Sequence, residues 1–185
     1  MKIFISGGCK NGKSFYAQHL AKTQGKGSLY YIATMKPVDA EDNQRIARHR
    51  HEREGWGFTT IEQPVDIEKI LEKCGPDKNR PDASFLLDSL TALLANEMFL
   101  ADGSVNEQAA DKIAGGLLQI MEEIKNIVIV SDYIYSDALV YDPLTEQYRK
   151  SLAKIDSAVA GNCDTVLEIA YTNVIVHKGV YEKIP

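Results

Sequence analysis

The stretch Gly7-Gly8-Cys9-Lys10-Asn11-Gly12-Lys13-Ser14, set directly behind the apolar run KIFIS, constrains this chain more than any other feature. Gly7, four spacers and then Gly12-Lys13-Ser14 is the G-x-x-x-x-G-K-[ST] spacing of a phosphate-binding loop. Such a loop turns its backbone N–H groups and the following helix N-terminus toward an anion, so glycines stand where the backbone must approach closely. KIFIS reads as a short buried strand and KSFYAQHLAKTQ as the helix behind it. In that setting Lys13 reaches the β/γ-phosphates of ATP or GTP and the Ser14 hydroxyl ligates Mg²⁺. The spacers Cys9, Lys10 and Asn11 contribute mainly backbone. A glycine-rich turn without a ligand is the bland alternative, and the strand–loop–helix context weighs against it.

Short apolar runs recur along the rest of the chain: SLYYIAT, ASFLLDSL, NIVIVSD, TVLEIAY and NVIVHKG. Alternation of such runs with helical patterns predicts an α/β fold with a mostly parallel sheet flanked by helices. The last two runs lie too close together for a helix, so EIAYTNVIV predicts a C-terminal antiparallel hairpin. At 185 residues, 44% hydrophobic and 25% charged, the chain suits a single domain over 1–185. Twenty-one basic against 26 acidic residues, a net charge of −5, argue against nucleic acid as a partner. Cys9, Cys74 and Cys163 show no metal spacing and are expected as reduced thiols. No signal core and no 18-residue apolar run occur, which predicts a cytoplasmic protein without stable membrane insertion.

Helix boundaries are also marked. Ser104 followed by Glu107 suggests a capping box, with Ala109, Ile113, Leu117, Ile120 and Ile124 recurring at helical spacing behind it. Asp142 and Pro143 suit an N-cap and first helical position, and Gly161 a stop. Between them Leu144, Tyr148, Leu152, Ile155 and Val159 are expected to form a buried face. Residues 72–84, polar with two prolines and a glycine, predict a flexible surface connection.

A second cluster occupies residues 39–64. Asp39, Glu41 and Asp42 favour a helix start, and Arg45, His49 and Glu52 or Arg53 fall on one face of that helix. Arg45, Arg48, Arg50 and Arg53 around His49 and His51 make a concentrated cationic surface. Charge runs usually mark solvated faces, but a triphosphate needs more than one cationic contact.

Together these segments resemble the bifunctional adenosylcobinamide kinase/adenosylcobinamide-phosphate guanylyltransferase family of cobalamin biosynthesis. The residues that carry the resemblance are GGCKNGKS at 7–14, YIAT at 31–34, RIARHR at 45–50, FTTIEQP at 58–64 and FLLDSLT at 85–91. It continues through YRKSLAKIDSAVA to the closing hairpin. The resemblance implies a RecA-like P-loop fold and phosphorylation of the aminopropanol hydroxyl of adenosylcobinamide by a nucleoside triphosphate. It then implies transfer of GMP from GTP through a guanylylated histidine, at His49. A neutral imidazole can attack the α-phosphorus and expel pyrophosphate, with the neighbouring arginines offsetting the charge that builds on the phosphoryl oxygens. Glu62 resembles the family's nucleotide-contacting glutamate, and Thr34 ends the strand beside the phosphate loop. Asp88, at the end of an apolar run, suits Mg²⁺ or its waters, with a helix cap as the bland alternative. Arg50 and Arg53 are expected as phosphate contacts; His19, His51 and His177 are expected as ordinary surface residues. The resemblance also implies a homo-oligomer, a trimer.

One segment departs from the family. Where N-E-V-G-x-G-I-V-P is usual, residues 132–140 read DYIYSDALV. Tyr135 and Asp137 replace two glycines, Asp132 the asparagine and Val140 the proline. This loop is expected to follow another path at the border of the ligand crevice, altering the corrinoid side and leaving the nucleotide machinery untouched. Two rival readings remain: a P-loop kinase of another small alcohol, and a catalytically silent nucleotide-binding regulator. Without an N-K-x-D signature, guanine preference rests on the resemblance alone.

Overall fold

A computed structural model describes residues 1–171 and 173–181, apart from the side chains of Arg45 and Glu52. Its strands are β1 (Lys2–Gly7), β2 (Leu29–Ala33), β3 (Phe58–Glu62), β4 (Ser84–Asp88), β5 (Ile127–Val130), β6 (Thr165–Ala170) and β7 (Asn173–Lys178). They form a single sheet in the order β3-β2-β4-β5-β1-β6-β7. The first six strands are parallel, and β7 closes the edge antiparallel to β6. The expected α/β architecture with its terminal hairpin is therefore present. The helices are α1 (Lys13–Gln24), α2 (Ala40–Glu52), the short α3 (Ile70–Lys73), α4 (Leu90–Met98), α5 (Ala109–Glu123) and α6 (Pro143–Asn162).

The central strands are apolar on both faces, which a parallel sheet covered by helices requires. Ile3 and Ile5 of β1 point with Leu86, Val128 and Val130 onto Ala17, Leu20 and Ala21 of α1. Phe4, Phe85, Leu87, Ile127 and Ile129 point the other way, onto α4, α5 and α6 through Leu93, Leu94, Ile113, Leu117, Leu152 and Ile155. Each such side chain contributes about 1.5–3 kcal/mol by leaving water. The result is a rigid sheet whose carboxyl edge collects Gly7, Asp88 and the residues after β5.

Several local expectations are corrected. FTTIE, read as a motif without a strand, forms edge strand β3, paired with β2 from Leu29–Phe58 to Ala33–Glu62. Only Ile61 in it is buried, so no apolar run announces it. The Ser104–Glu107 capping box does not form. Ser104 Oγ donates to Asp102 Oδ1 at 2.6 Å, while Asn106 Oδ1 accepts from the Gln108 N–H, and α5 begins at Ala109. Asp142 caps α6 as expected, accepting from the N–H groups of Leu144 and Thr145. Leu144, however, is 42% exposed in the first turn, and the helix runs through Gly161 to Asn162. Residues 72–84 include a 3₁₀ segment, Gly75–Asn79, whose Asp77 accepts from the Tyr30 hydroxyl at 2.8 Å.

Candidate active site at the carboxyl edge of the sheet

The phosphate loop joins β1 to α1. Gly12 sits at the helix N-cap with φ 90°, a left-handed conformation that favours glycine, and Lys10 also has positive φ. A Cβ at Gly7 would collide with the Ile169 carbonyl of β6. Gly12 offers no capping side chain and the first turn of α1 carries no acid, so the positive end of the helix dipole is left for an anion. Cys9 and Lys10 are exposed, Gly8 and Ser14 half-buried, and the Asn11 side chain bonds the Ile169 carbonyl. The spacers thus present backbone, as expected. Lys13 is only 6% exposed. Its Nζ donates to the Gly8 carbonyl and to Asp132 Oδ1, each at 2.6 Å.

Asp88 stands at the end of β4, separated from β1 by β5. Its Oδ2 accepts from the Tyr31 hydroxyl at 3.0 Å. The helix cap that would have explained Asp88 is supplied by Ser89, whose side chain accepts from the Ala92 N–H. Thr34 differs from expectation. It is completely buried, and its hydroxyl donates to the Ser89 carbonyl and accepts from the Ser89 N–H, both at 2.8 Å. It fastens β2 to the β4–α4 turn and cannot touch a nucleotide here. Among the described residues no three His, Cys, Asp or Glu side chains gather around one point. Ser14 and Asp88 could therefore hold Mg²⁺ only with phosphate oxygens and waters completing its shell.

The second cluster lies on the β3 side of the same carboxyl edge. Asp39 caps α2 by accepting from the Asp42 N–H at 2.8 Å. His49, Arg50 and His51 occupy the last turn, where cations complement the helix dipole. His49 is half-buried. Arg50 Nη2 donates to Glu62 Oε1 at 2.6 Å, joining α2 to the end of β3. A groove of about 720 Å³ opens there, lined by Arg50, Arg53, Thr60, Glu62 and the turn at Gly55 and Gly57. Arg53 turns inward from the surface of this cluster. It is 8% exposed and lies 3.5 Å above the Tyr31 ring, with Nη1 buried and unpartnered. The stack Arg53–Tyr31–Asp88 links the α2 region to the Asp88 carboxylate. Arg45 and Glu52, assigned to the same face from sequence, lie outside the described side chains. His51 pairs with Glu54 and His177 with Glu168, while His19 packs edge-on against Trp56.

Residues 7–14 do not line that groove, but the two regions meet across α1, whose Phe15, His19 and Lys22 pack on Trp56 of the Gly55–Gly57 turn. Strands β3 and β1 themselves stand four positions apart in the sheet.

The 132–140 loop borders the phosphate loop, as expected: the Tyr133 N–H donates to the Gly7 carbonyl at 3.3 Å. It does not leave the nucleotide machinery untouched. The Asp132 carboxylate holds Lys13 through Oδ1 and takes the Thr91 hydroxyl on Oδ2 at 3.1 Å. Arg149 of α6, nearly buried, ties the loop down through the Ile134 carbonyl, Asp137 and Glu146. Tyr135 donates to Asp156 Oδ2 at 2.9 Å. Burial pushes the Asp156 carboxyl up to about 7, against the Ser131 and Tyr135 hydroxyls, which favour its ionised form; nearby Asp132 adds to the rise. Burial, then the negative charge of Asp156, raises the Tyr135 phenol. Sequence reasoning assigned no role to Tyr31, Arg149 or Asp156. An acidic side chain in the middle of an otherwise apolar helix face was the available signal for Asp156.

Comparison with known proteins agrees with this geometry. The solved structure of the flagellar accessory protein FlaH from Methanocaldococcus jannaschii superposes with a TM-score of 0.52 at 15% identity, over 98% of this chain and 82% of that one. A solved ATPase domain gives 0.55 at 13% identity, over 96% and 76%. These likenesses establish the P-loop fold. The bifunctional adenosylcobalamin biosynthesis protein CobP of Pseudomonas aeruginosa is 29% identical over 167 residues, 90% of this chain and 91% of its own length. The corresponding protein CobU of Escherichia coli is 30% identical over 132 residues, 71% of this chain and 65% of its own. Residues 3–173 match the family described as cobinamide kinase / cobinamide phosphate guanyltransferase, and the chain belongs to that family.

Proposed function

We propose that this chain, as one nucleotide-binding and transferase domain, carries out both reactions of its family on adenosylcobinamide. ATP or GTP binds with its phosphates on the 7–14 loop, Lys13 on the β/γ-phosphates and Mg²⁺ at Ser14 and Asp88. The acceptor hydroxyl attacks the γ-phosphorus and the nucleoside diphosphate leaves. In the second reaction an imidazole nitrogen of His49 attacks the α-phosphorus of GTP and pyrophosphate departs. The acceptor's new phosphate then attacks that α-phosphorus, the phosphorus–nitrogen bond breaks, and His49 is regenerated with adenosylcobinamide-GDP as product. Arg50, which follows His49 in α2, and Glu62 line the groove, Arg50 facing phosphate and Glu62 the rest of the nucleotide. Arg53 supports that groove from beneath through Tyr31.

The observation that carries this reading is the unneutralised N-terminus of α1 with Lys13 beside it, in a chain of this family. A cytoplasmic setting and a homo-oligomer, a trimer, belong to this proposal, as the sequence resemblance implies. The altered 132–140 loop favours a second reading, a kinase of another small alcohol that keeps His49 only as a phosphate contact. Incubating the enzyme with adenosylcobinamide, Mg²⁺ and each triphosphate, and following the phosphate and the GMP adduct separately, decides between them. Both products support the first reading; neither product from adenosylcobinamide overturns it.

A further inference from the structure

A cavity of about 420 Å³, open to solvent, lies between the sheet and α6 beside the 132–140 loop. Phe4 of β1 and Val166 of β6 give it an apolar floor, and Glu168, held by His177 at 2.8 Å, stands on one wall. Asp156 of α6 faces it from the other side. That residue is 2% exposed. Its Oδ2 accepts from Ser131 and Tyr135 at 3.0 and 2.9 Å, while its Oδ1 is buried without a partner. Ser6, also on the cavity wall, has a buried Oγ without a partner.

Leaving a buried polar atom unpaired costs about 1–3 kcal/mol. Two such atoms lining one cavity favour an occupant that donates N–H or O–H. The two carboxyl groups disfavour an anion, so this is not a phosphate or nucleotide site. The volume lies at the small end of ligand sites, which run from roughly 300 to 1,000 Å³. It suits a short arm. Its position adds the functional link. Ser6 immediately precedes the phosphate loop, and Tyr133, on the cavity wall, has its N–H on the Gly7 carbonyl. The residue before it, Asp132, holds Lys13.

We propose that this cavity receives the short polar arm of the alcohol acceptor, with an amide or amine N–H of the arm donating to Asp156 Oδ1 and Ser6 Oγ. The arm's hydroxyl is then left on the phosphate-loop side and the bulk of the acceptor outside. This assignment rests on the reading that the chain phosphorylates an alcohol.

The test uses two probes, the neutral amide N-(2-hydroxypropyl)acetamide and the ammonium 1-amino-2-propanol, titrated at millimolar concentration by protein NMR. At least one should shift the Tyr133 and Tyr135 signals saturably, and which one does identifies the donor as amide or ammonium. Ser6→Ala should weaken that binding, and Ala160→Phe, which fills the cavity, should abolish it. With adenosylcobinamide as acceptor, Ala160→Phe should raise the acceptor KM about tenfold or more, in keeping with the loss of one or two buried hydrogen bonds. The nucleotide KM should not move. Failure of both probes to bind wild-type protein overturns the proposal, as does binding that ignores both substitutions. Variant-sensitive probe binding by an enzyme that does not turn over adenosylcobinamide upholds the cavity and overturns the corrinoid reading alone.

Discussion

Replacing Asp156 by asparagine should remove a large pH dependence from the stability of this protein. The carboxyl titrates near 7 in the folded chain against its ordinary value of 3.8. Between those values the folded state holds a proton that the unfolded state has released, so stability falls as pH rises through this window and levels off above it. Roughly three pH units at about 1.4 kcal/mol each give a total near 4 kcal/mol, of which about 3 kcal/mol falls between pH 5 and pH 8. Asp66 and Asp82 are held below the usual carboxylate range by Lys112 and Arg80. Their stabilisation is present above pH 4 and lost in acid, outside this interval. Urea unfolding at pH 5 and pH 8 is the assay. For a chain of this size, with m about 3 kcal/mol/M, the wild-type midpoint should drop by about 1 M relative to that of Asp156→Asn. The amide's own mismatch with the Ser131 and Tyr135 hydroxyls is the same at both pH values and cancels in the difference. Parallel midpoints for the two proteins would refute the reasoning, because they would mean that Asp156 titrates like an exposed carboxyl.

Two other substitutions probe the loop beside the nucleotide. Asp132→Asn should tighten triphosphate binding by about three- to tenfold, since an ion pair that incoming phosphates must break is gone; unchanged or weaker affinity by calorimetry would contradict the pairing. Arg149→Met should cost about 2–3 kcal/mol in denaturant unfolding, because one nearly buried guanidinium holds Ile134, Asp137 and Glu146 together; a loss within about 0.5 kcal/mol would place it among ordinary surface charges.

The parts legible in the sequence were those whose physics is local. A phosphate loop is written in consecutive residues because its glycines, lysine and serine act within one turn. The predicted helix KSFYAQHLAKTQ coincides with α1, Lys13–Gln24, and the IVIV run of β5 is wholly buried. Asp142 caps α6 because an N-cap is a contact between neighbours. Strand β3 was not legible as a strand, since an edge strand with one buried residue carries no apolar pattern. Ser104 satisfies the spacing of a capping box, yet side-chain turns at Asp102 and Asn106 hold the backbone before the helix, which starts only at Ala109. Among the site residues, the contacts that decide roles join segments far apart in the chain. Lys13 meets Asp132, Tyr31 meets Asp88, and Arg53 turns from the helix surface onto Tyr31. Thr34 fell next to a motif and turned out to serve the Ser89 backbone. Spacing shows which residues share a helix face; it does not show which of them the tertiary packing draws inward.

The claim that this chain performs two chemistries is tested most directly at His49. GTP labelled at the α-phosphate should leave label on wild-type protein, stable to alkali and released by mild acid, as a phosphoramidate behaves and a phosphoserine ester does not. His49→Asn should lose the label and GMP transfer while keeping phosphorylation of adenosylcobinamide, because that step needs the phosphate loop, Mg²⁺ and a positioned hydroxyl but no covalent intermediate. His51→Asn should label like wild type. Label that persists without His49, or wild-type protein that phosphorylates adenosylcobinamide and never labels, would contradict the account.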